Sequence, residues 1–400
     1  MAADGLAPKT VRIRMYHVGF GDCFLLSFNV GDGARHILID CGVHARGQIR
    51  ELPMSKIVDA IGAETGRNLD LVIATHRHQD HIAGFGEPAF GSFKVGAVWM
   101  PWTEDPNDQQ ANKLRKTHLA LVKALAGGHL AIDTAKNALA NLDLKGNDAA
   151  LKMLTSGFEE HPKVQYLRAG DKPNLGSDLK GLQVQVLGPP DDPAFLAKMD
   201  PPAGHHYLGQ SSSDVDKSLK LEPMRESWKL MHPSQELKEL AKEIDQELLG
   251  SEDELALALD NVVNNTSLVL LFTIGDKHFL FPGDAQWGNW KSWLDKFGAD
   301  VLKSICFYKV SHHGSLNATP TDAVKAMPQG NFAAMASTQN TPFPSVPKPA
   351  LMKALDDRTN GFLVESDGKK NIVAALKKPF KSQNAGDFWI DYETEFSASK

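Results

Sequence analysis

Four side chains of types that commonly bind metal ions lie within six residues, at His76, His78, Asp80 and His81. They follow a nearly continuous apolar run, Leu69–Ala74, which is typical of a strand covered on both faces. A strand followed by a tight loop aims the side chains at i and i+2 to one side, so His76 and His78 suit one ion. Asp80 and His81 then turn towards a neighbouring ion. Because uncompensated polar groups at the end of a buried strand are costly, the pattern favours a metal site over unliganded histidines.

Two further groups of candidate ligands follow predicted strands later in the chain. Gly283 allows a sharp turn and leaves Asp284 free to bridge two cations through its two carboxylate oxygens. His312 and His313 come directly after the next strand. Because all three groups lie just past strand ends, one sheet edge can bring them together. Their nitrogen and oxygen donors favour zinc and also permit manganese or iron.

The elements that must position these groups alternate between strand and helix. Residues 11–18, 23–30, 36–42 and 69–75 have strand patterns separated by Gly/Asp turns, and Ser55–Ala63 has apolar residues at helical spacing. A strand pair is predicted at 163–167 and 182–187, and further strands at 267–273, 278–281 and 304–310. This alternation predicts an α/β fold class.

Two segments interrupt this pattern. Residues 111–160 are rich in Ala, Leu and Lys at helical spacing, and the loop that begins at residue 191 leads into a charged helical stretch. We predict one domain over residues 1–400, with insertions at about 105–162 and about 191–260. Such charged helices are typical of solvated faces, and a protein partner that binds through the insertions is the alternative interpretation.

The composition restricts the partners and the location of the protein. A formal net charge of −6 disfavours stable binding to duplex nucleic acid, whereas bound metal ions would still attract a small or short anionic substrate. The first residues lack the basic start and apolar stretch of a secretory signal, and no apolar run reaches the roughly 20 residues of a membrane span. The sequence therefore predicts a cytoplasmic protein without a membrane span. Three widely spaced cysteines show no metal or disulfide spacing and receive no role.

The ordered motifs resemble the metallo-β-lactamase superfamily, and within it the hydrolase domain of the ComEC/Rec2 DNA-uptake proteins. The segments that carry the resemblance are, in chain order, His17–Cys23, Leu38–Gly42, His76–His81, Asn265–Leu270, Phe281–Ala285 and Ser311–Ser315. The resemblance covers approximately residues 11–104, 164–190 and 262–377 and leaves the two insertions without a counterpart. It implies a four-layer αββα sandwich with two divalent metal ions at one edge.

The resemblance also implies a set of ligands for the two ions. These are His76 and His78 for the first ion, Asp80, His81 and His312 for the second, and Asp284 as the bridge between them. The sequence does not distinguish His312 from His313, and His312 is preferred because it follows the strand more directly. Many members of the superfamily supply one more histidine to the first ion. No clean equivalent occurs here, and Asn265, His205, His206 or solvent stay open as the replacement.

Two ions roughly 3.5–4 Å apart lower the pKa of a bridging water and stabilise the leaving oxygen, so the predicted nucleophile is a metal-bound hydroxide. Asp80 would orient it, and His313 is a candidate proton donor or oxyanion contact. The leading prediction is a phosphodiesterase or nuclease acting on nucleotides or short single-stranded nucleic acid, as the resemblance implies. The alternatives are a hydrolase of lactones, amides or thioesters, and a metal-stabilised binding or regulatory protein.

Overall fold

The computed structural model describes residues 6–29, 33–126, 133–142, 144–176, 179–198, 207–208, 252–367, 379–381 and 388–397. The strands of these residues form two mixed sheets. In chain order they are β1 (Thr10–Tyr16), β2 (Cys23–Asn29), β3 (Ala34–Cys41), β4 (Asn68–Ile73), β5 (Lys94–Pro101), β6 (Lys163–Leu167), β7 (Leu182–Gly188), β8 (Val269–Ile274), β9 (Lys277–Phe281), β10 (Phe307–Lys309), β11 (Ala333–Ala336), β12 (Leu363–Glu365), β13 (Phe380–Lys381) and β14 (Trp389–Glu395).

Helices connect the strands and cover the sheets. The α-helices of the described residues are α1 (Met54–Thr65), α2 (Gln79–Ile82), α3 (Gln109–Ala126), α4 (Asp133–Asn141), α5 (Leu144–Lys152), α6 (Pro193–Leu196), α7 (Glu252–Asn264), α8 (Trp287–Phe297), α9 (Thr321–Ala326) and α10 (Pro349–Thr359). In α1, buried Ile57, Val58 and Ile61 form the apolar stripe expected of an amphipathic helix. The helix ends at Gly66, whose left-handed φ of 61° closes the last turn.

The first sheet has the strand order β13-β14-β1-β2-β3-β4-β5-β6. Strands β3 to β6 are parallel, while β1, β2 and β14 pair with antiparallel neighbours. Alternation along β1 sends Val11, Ile13 and Met15 into the central core. On the other face of β1, Arg12 and Arg14 form ion pairs with Glu64 of α1. The sheet is therefore buried on both faces even where its sequence is polar.

The second sheet has the order β12-β11-β10-β9-β8-β7, with β9 to β12 parallel. Strand β7 pairs antiparallel with β8 at one edge of this sheet. Strand β6 instead pairs parallel with β5, at the edge of the first sheet. The prediction that residues 163–167 and 182–187 form a strand pair is therefore wrong. Both segments are strands, but each finds its hydrogen-bonding partner in a different sheet.

The two sheets face each other across one apolar core. The rings of Phe24 in β2 and Phe281 in β9 lie 6.0 Å apart in an edge-to-face contact within it. Helix α1 packs on the outer face of the first sheet, and buried Trp290 and Trp293 of α8 pack on the outer face of the second. Each such large side chain contributes roughly 1.5–3 kcal/mol of burial free energy. These layers confirm the predicted αββα sandwich.

Helices of the two predicted insertions share a separate apolar cluster. Leu121 and Leu125 of α3 and Ala135 of α4 pack there with Leu259 and Val263 of α7. The cluster fixes α7 against α3 and α4, just before the chain enters the second sheet. Among the described helices, none is both long and apolar enough to cross a bilayer. The domain limits and insertion bounds stay predictions.

Candidate metal centre

The candidate ligands follow three parallel strands that come from both sheets. Strand β4 ends at Ile73, and α2 begins five residues after Ala74 and carries Asp80 and His81. Asp284 follows β9 after a turn at Gly283, where φ is 56° and an added Cβ would lie 3.0 Å from Ser267 and Thr75. A tight turn after β10, Ser311–Gly314, carries the two adjacent histidines. The groups do lie past strand ends, but the prediction that one sheet edge brings them together is wrong, because strands of both sheets contribute.

His76 and His78 form the first group. The Nε2 atom of His76 lies 3.0 Å from the Nδ1 atom of His78, and both residues are buried. The other ring nitrogen of His76 is held by hydroxyl groups, with Ser267 Oγ at 3.2 Å and Thr75 Oγ1 at 3.1 Å. The two imidazoles therefore face each other through one nitrogen each, as expected of two ligands that share an ion.

A second group lies beside the first and contains two carboxylates and two imidazoles. Its ligand atoms all lie within 4.8 Å of one another and belong to Asp80, His81, Asp284 and His313. His81 Nε2 is 3.0 Å from Asp284 Oδ2, and His313 Nε2 is 3.2 Å from Asp80 Oδ2. The rings of His76 and His81 have centroids 4.1 Å apart, so the two groups adjoin.

Acceptors on the far side fix both imidazoles of the second group. His81 Nδ1 donates to Asp40 Oδ2 at 2.8 Å, and His313 Nδ1 donates to the Ser337 carbonyl oxygen at 3.0 Å. Asp40 has a left-handed φ of 54° and also accepts from the backbone N–H and the hydroxyl of Thr75, both at 2.7 Å. Because Nδ1 donates the hydrogen bond in both rings, Nε2 is the nitrogen left to offer its lone pair to a metal ion, and it faces the second group.

The two adjacent histidines of the turn have different surroundings. Both have left-handed backbone angles, with φ of 46° at His312 and 53° at His313. His312 is half-buried and directs Nδ1 to Ser315 Oγ at 2.8 Å, while its Nε2 lies 3.4 Å from Asn264 Nδ2. Its backbone N–H donates to Asp284 Oδ1 at 3.1 Å. The structure thus places His313, and not His312, in the second ligand group, while the ring of His312 contacts Ser315 and Asn264.

Asn265 does not supply the additional ligand that the sequence left open for the first ion. Its side-chain Nδ2 donates to the carbonyl oxygens of Leu196 and Lys198, and its Oδ1 accepts from the backbone N–H groups of Gln286 and Asn289. These four bonds use the full hydrogen-bonding capacity of the amide, which therefore has a structural role. The other two candidates, at positions 205 and 206, lie outside the described residues.

Sequence reasoning missed a buried lysine beside the ligands. Lys309 Nζ contacts Asp22 Oδ2 and lies 3.1 Å from both Asp284 Oδ1 and the Gly283 carbonyl oxygen. Burial opposes its charge, but Asp22 and Asp284 outweigh that effect and raise the pKa of Lys309. A cation there offsets part of the negative charge of the carboxylates. The available signal was a lysine within the apolar strand β10, where an unpaired charge would be expensive.

The electrostatics set the protonation states of the free ligands. Burial lowers the pKa of His78 to about 3 and that of His76 well below its ordinary value, so both imidazoles are neutral at pH 7. Burial opposes the charge of Asp80 as well, but His81 and His313 outweigh it and lower the pKa of this carboxyl group. For His81, Asp284 and Asp40 outweigh burial and raise the pKa. A neutral first group and a second group that contains carboxylates could therefore hold divalent cations.

Unsatisfied atoms indicate that the residues fit divalent metal ions. Asp80 Oδ1 and His81 Nε2 are buried and lack a hydrogen-bond partner among the described residues. Buried polar atoms without partners cost roughly 1–3 kcal/mol each, and natural folds seldom leave several together. A divalent cation would satisfy both atoms, and imidazole nitrogens with carboxylate oxygens are donors that zinc accepts. The geometry is thus compatible with the predicted metal-binding role of these residues.

No curated protein matches the chain significantly. Among solved structures, the chain is similar to the crystal structure of the metallo-β-lactamase fold protein YhfI from Bacillus subtilis, with 12% identity and a TM-score of 0.30. That similarity covers 76% of this chain and 70% of YhfI.

A family model also matches the chain, over the segment that contains the first histidine cluster. The model is that of the metallo-β-lactamase superfamily, and the match spans residues 18–91. The narrower resemblance to the DNA-uptake proteins stays a prediction. Residues 18–91 therefore match the metallo-β-lactamase superfamily in sequence. The described part of the chain folds as a two-sheet sandwich, which is consistent with that superfamily.

Proposed function

We propose that the protein is a metal-dependent hydrolase with two divalent ions, of which zinc is the favoured element. The observation that carries the proposal is that two buried groups of candidate ligands lie side by side. One is the pair His76 and His78, and the other is the group around Asp284. Asp284 Oδ2 lies 3.0 Å from His81 Nε2, and the ring of His81 adjoins that of His76, so Asp284 is our candidate for the bridging carboxylate. The second ion would have four protein ligands, so the first ion would have more coordination positions left for water or substrate.

When bound, two such ions supply Lewis acidity, favour deprotonation of water near neutral pH and stabilise developing negative charge. The residues of the chain do the rest. Asp80 Oδ2 lies 3.2 Å from His313 Nε2, so both atoms would bind the same ion. Because His313 is also fixed through Nδ1 by Ser337, we now assign it to ion binding in place of proton donation.

His312 takes a different part in the proposal. Its backbone N–H steadies Asp284, and its ring is half-buried while the ligands are buried. An imidazole that borders the centre without belonging to the ligand group is suited to contact the substrate or its leaving group. We therefore propose His312 as a substrate contact in place of a ligand.

The leading substrate class is a phosphodiester in a nucleotide or a short single strand. Two adjacent cations held by His76, His78 and the group around Asp284 would suit in-line displacement at phosphorus, because they would stabilise both the attacking and the leaving oxygen. They would also give an acidic protein, with a net charge of −6, a local site for an anionic substrate. A cytoplasmic location and a partner bound through the insertions stay predictions.

The test is metal content by elemental mass spectrometry together with turnover of bis-(p-nitrophenyl) phosphate and of single-stranded DNA. We expect about two ions per chain in the wild type, and loss of ions and turnover in Asp284→Asn. The control is Asp295→Asn, which removes an exposed carboxylate on α8 that pairs with Lys291. A folded wild type that binds no divalent ion would overturn the proposal. Turnover of lactones or thioesters without phosphodiester cleavage would keep the hydrolase and replace the substrate class.

A further inference from the structure

Two buried polar atoms face each other at the edge of the candidate centre and are not used by the ligand groups. His78 Nε2 and Asp260 Oδ1 lie 3.4 Å apart. Each atom is buried and has no hydrogen-bond partner among the described residues. The side chain of Asp260 is 17% exposed, and that of His78 is 1% exposed. This contact joins helix α7, from the end of the second predicted insertion, to the first histidine cluster.

The orientation of His78 gives this contact a direction. Its Nδ1 faces His76 Nε2 at 3.0 Å, so Nδ1 is the atom directed at the first ion. A neutral imidazole that binds metal through one nitrogen carries its proton on the other. His78 Nε2 must then donate, and Asp260 Oδ1 is the acceptor in front of it. Histidine ligands of metal ions are commonly oriented by a carboxylate in this way.

The surroundings of Asp260 leave the required oxygen free. Its other oxygen, Oδ2, accepts a long hydrogen bond from Asn264 Nδ2 at 3.5 Å, one turn further along the helix. The helix itself is anchored on both sides of this position, since Leu259 and Val263 are buried in the cluster with α3 and α4. The backbone that carries Asp260 is therefore held in place by packing that does not depend on the contact.

We propose that Asp260 is a positioning residue that accepts the Nε2 proton of His78 and so presents Nδ1 to the first metal ion. The proposal rests on the proposed two-metal function and adds a residue from the insertion to it. The first ion lacks the third histidine that many superfamily members supply. A carboxylate behind His78 would compensate in part, because it increases the basicity of a ligand that is already present. The apolar cluster of α3, α4 and α7 would then help to hold a ligand of the first ion in place.

The experiment compares wild type with Asp260→Ala, Asp260→Asn and the surface control Asp295→Asn, all loaded with zinc. Ion content after dialysis and zinc titration calorimetry measure how tightly each ion is held. Long-range proton–nitrogen NMR of the histidine rings reports which nitrogen of His78 carries the proton. Circular dichroism confirms that each variant is folded.

We expect Asp260→Ala to weaken one of the two ions by about 10–100-fold and to leave the other unchanged. Asp260→Asn should lose less, because its amide oxygen can still accept from Nε2, and the His78 ring should stay in the Nε2-protonated form. If wild type and Asp260→Ala hold two ions equally tightly, the role of Asp260 is overturned while the two-metal proposal stands. An unchanged His78 tautomer in Asp260→Ala together with a lost ion would overturn the positioning role in favour of direct ligation. Absence of bound zinc in the wild type would instead overturn the proposed function.

Discussion

His81 Nδ1 donates a hydrogen bond to Asp40 Oδ2 over 2.8 Å, across the ends of the neighbouring strands β4 and β3. Asp40 is held for this contact by Thr75, despite a left-handed backbone that is costly for most residues. The carboxylate therefore orients the ring of His81 so that Nε2 faces Asp284. This relationship gives the first prediction.

Asp40→Asn should weaken binding of the second ion by about 10-fold or more, since loss of an outer carboxylate typically costs 10–100-fold in affinity. Asparagine tolerates the left-handed φ of this position, so the backbone should be retained. Zinc titration calorimetry measures the effect, and thermal unfolding of the metal-free protein is the control. Unchanged affinity in a folded variant would show that Asp40 has only a structural role.

His313→Asn and His312→Asn form a matched pair, because both residues have a left-handed backbone and asparagine accepts it at either position. We expect His313→Asn to lose about one ion per chain, since it removes one of the four ligands of the second ion. His312→Asn should keep both ions and reduce turnover. Elemental mass spectrometry and phosphodiester assays separate the two effects. The reverse pattern would restore His312 as the ligand.

Lys309→Met should destabilise the metal-free protein by about 3 kcal/mol, because it leaves buried Asp22 and Asp284 without their cation. Zinc should recover much of this loss, since a bound cation supplies positive charge at the same carboxylates. Urea unfolding with a chelator and with zinc measures both quantities. Lys291→Met, which removes only an exposed ion pair, is the control. Equal stabilities of the two variants in chelator would contradict the prediction.

His118 of α3 should make stability depend on pH. Burial, assisted by the charge of Arg77, lowers the pKa of its imidazole to about 4. The unfolded chain, with a histidine pKa of about 6.5, then binds more protons between these values, so stability falls as the pH decreases through this window. Relative to wild type, His118→Gln should lose about 1 kcal/mol less between about pH 7.5 and about pH 5.5. Urea unfolding of both proteins at a series of pH values measures this difference, and equal losses in the two proteins would contradict the prediction.

Local sequence predicted much of the fold because its signals were local. The apolar run before His76 is strand β4, and residues 163–167 coincide with β6. The partner of β6 could not be predicted in this way, because strand pairing depends on distant segments. The short strands β11 and β12 were also missed, since four and three residues carry too little pattern.

Local sequence likewise predicted only part of the candidate site. The spacing within the cluster at His76 was sufficient to predict that its side chains would meet. The choice between His312 and His313 was not, because it depends on two successive left-handed residues in the turn. Asp260 is the last residue of the second predicted insertion and directly follows a stretch interpreted as a solvated helix, and its approach to His78 results from packing between the insertions. Long-range contacts of this kind leave no mark in a local pattern.

The ligands come from both sheets, and Asp80 and Asp284 lie about 200 residues apart in the chain. During synthesis the histidine cluster leaves the ribosome before Asp284 and His313. The full candidate ligand set of the second ion exists only once the chain has been made through His313. Under the proposed function, loading of the second ion would therefore require a chain made past His313, and a chain truncated before Asp284 would lack two of its four candidate ligands.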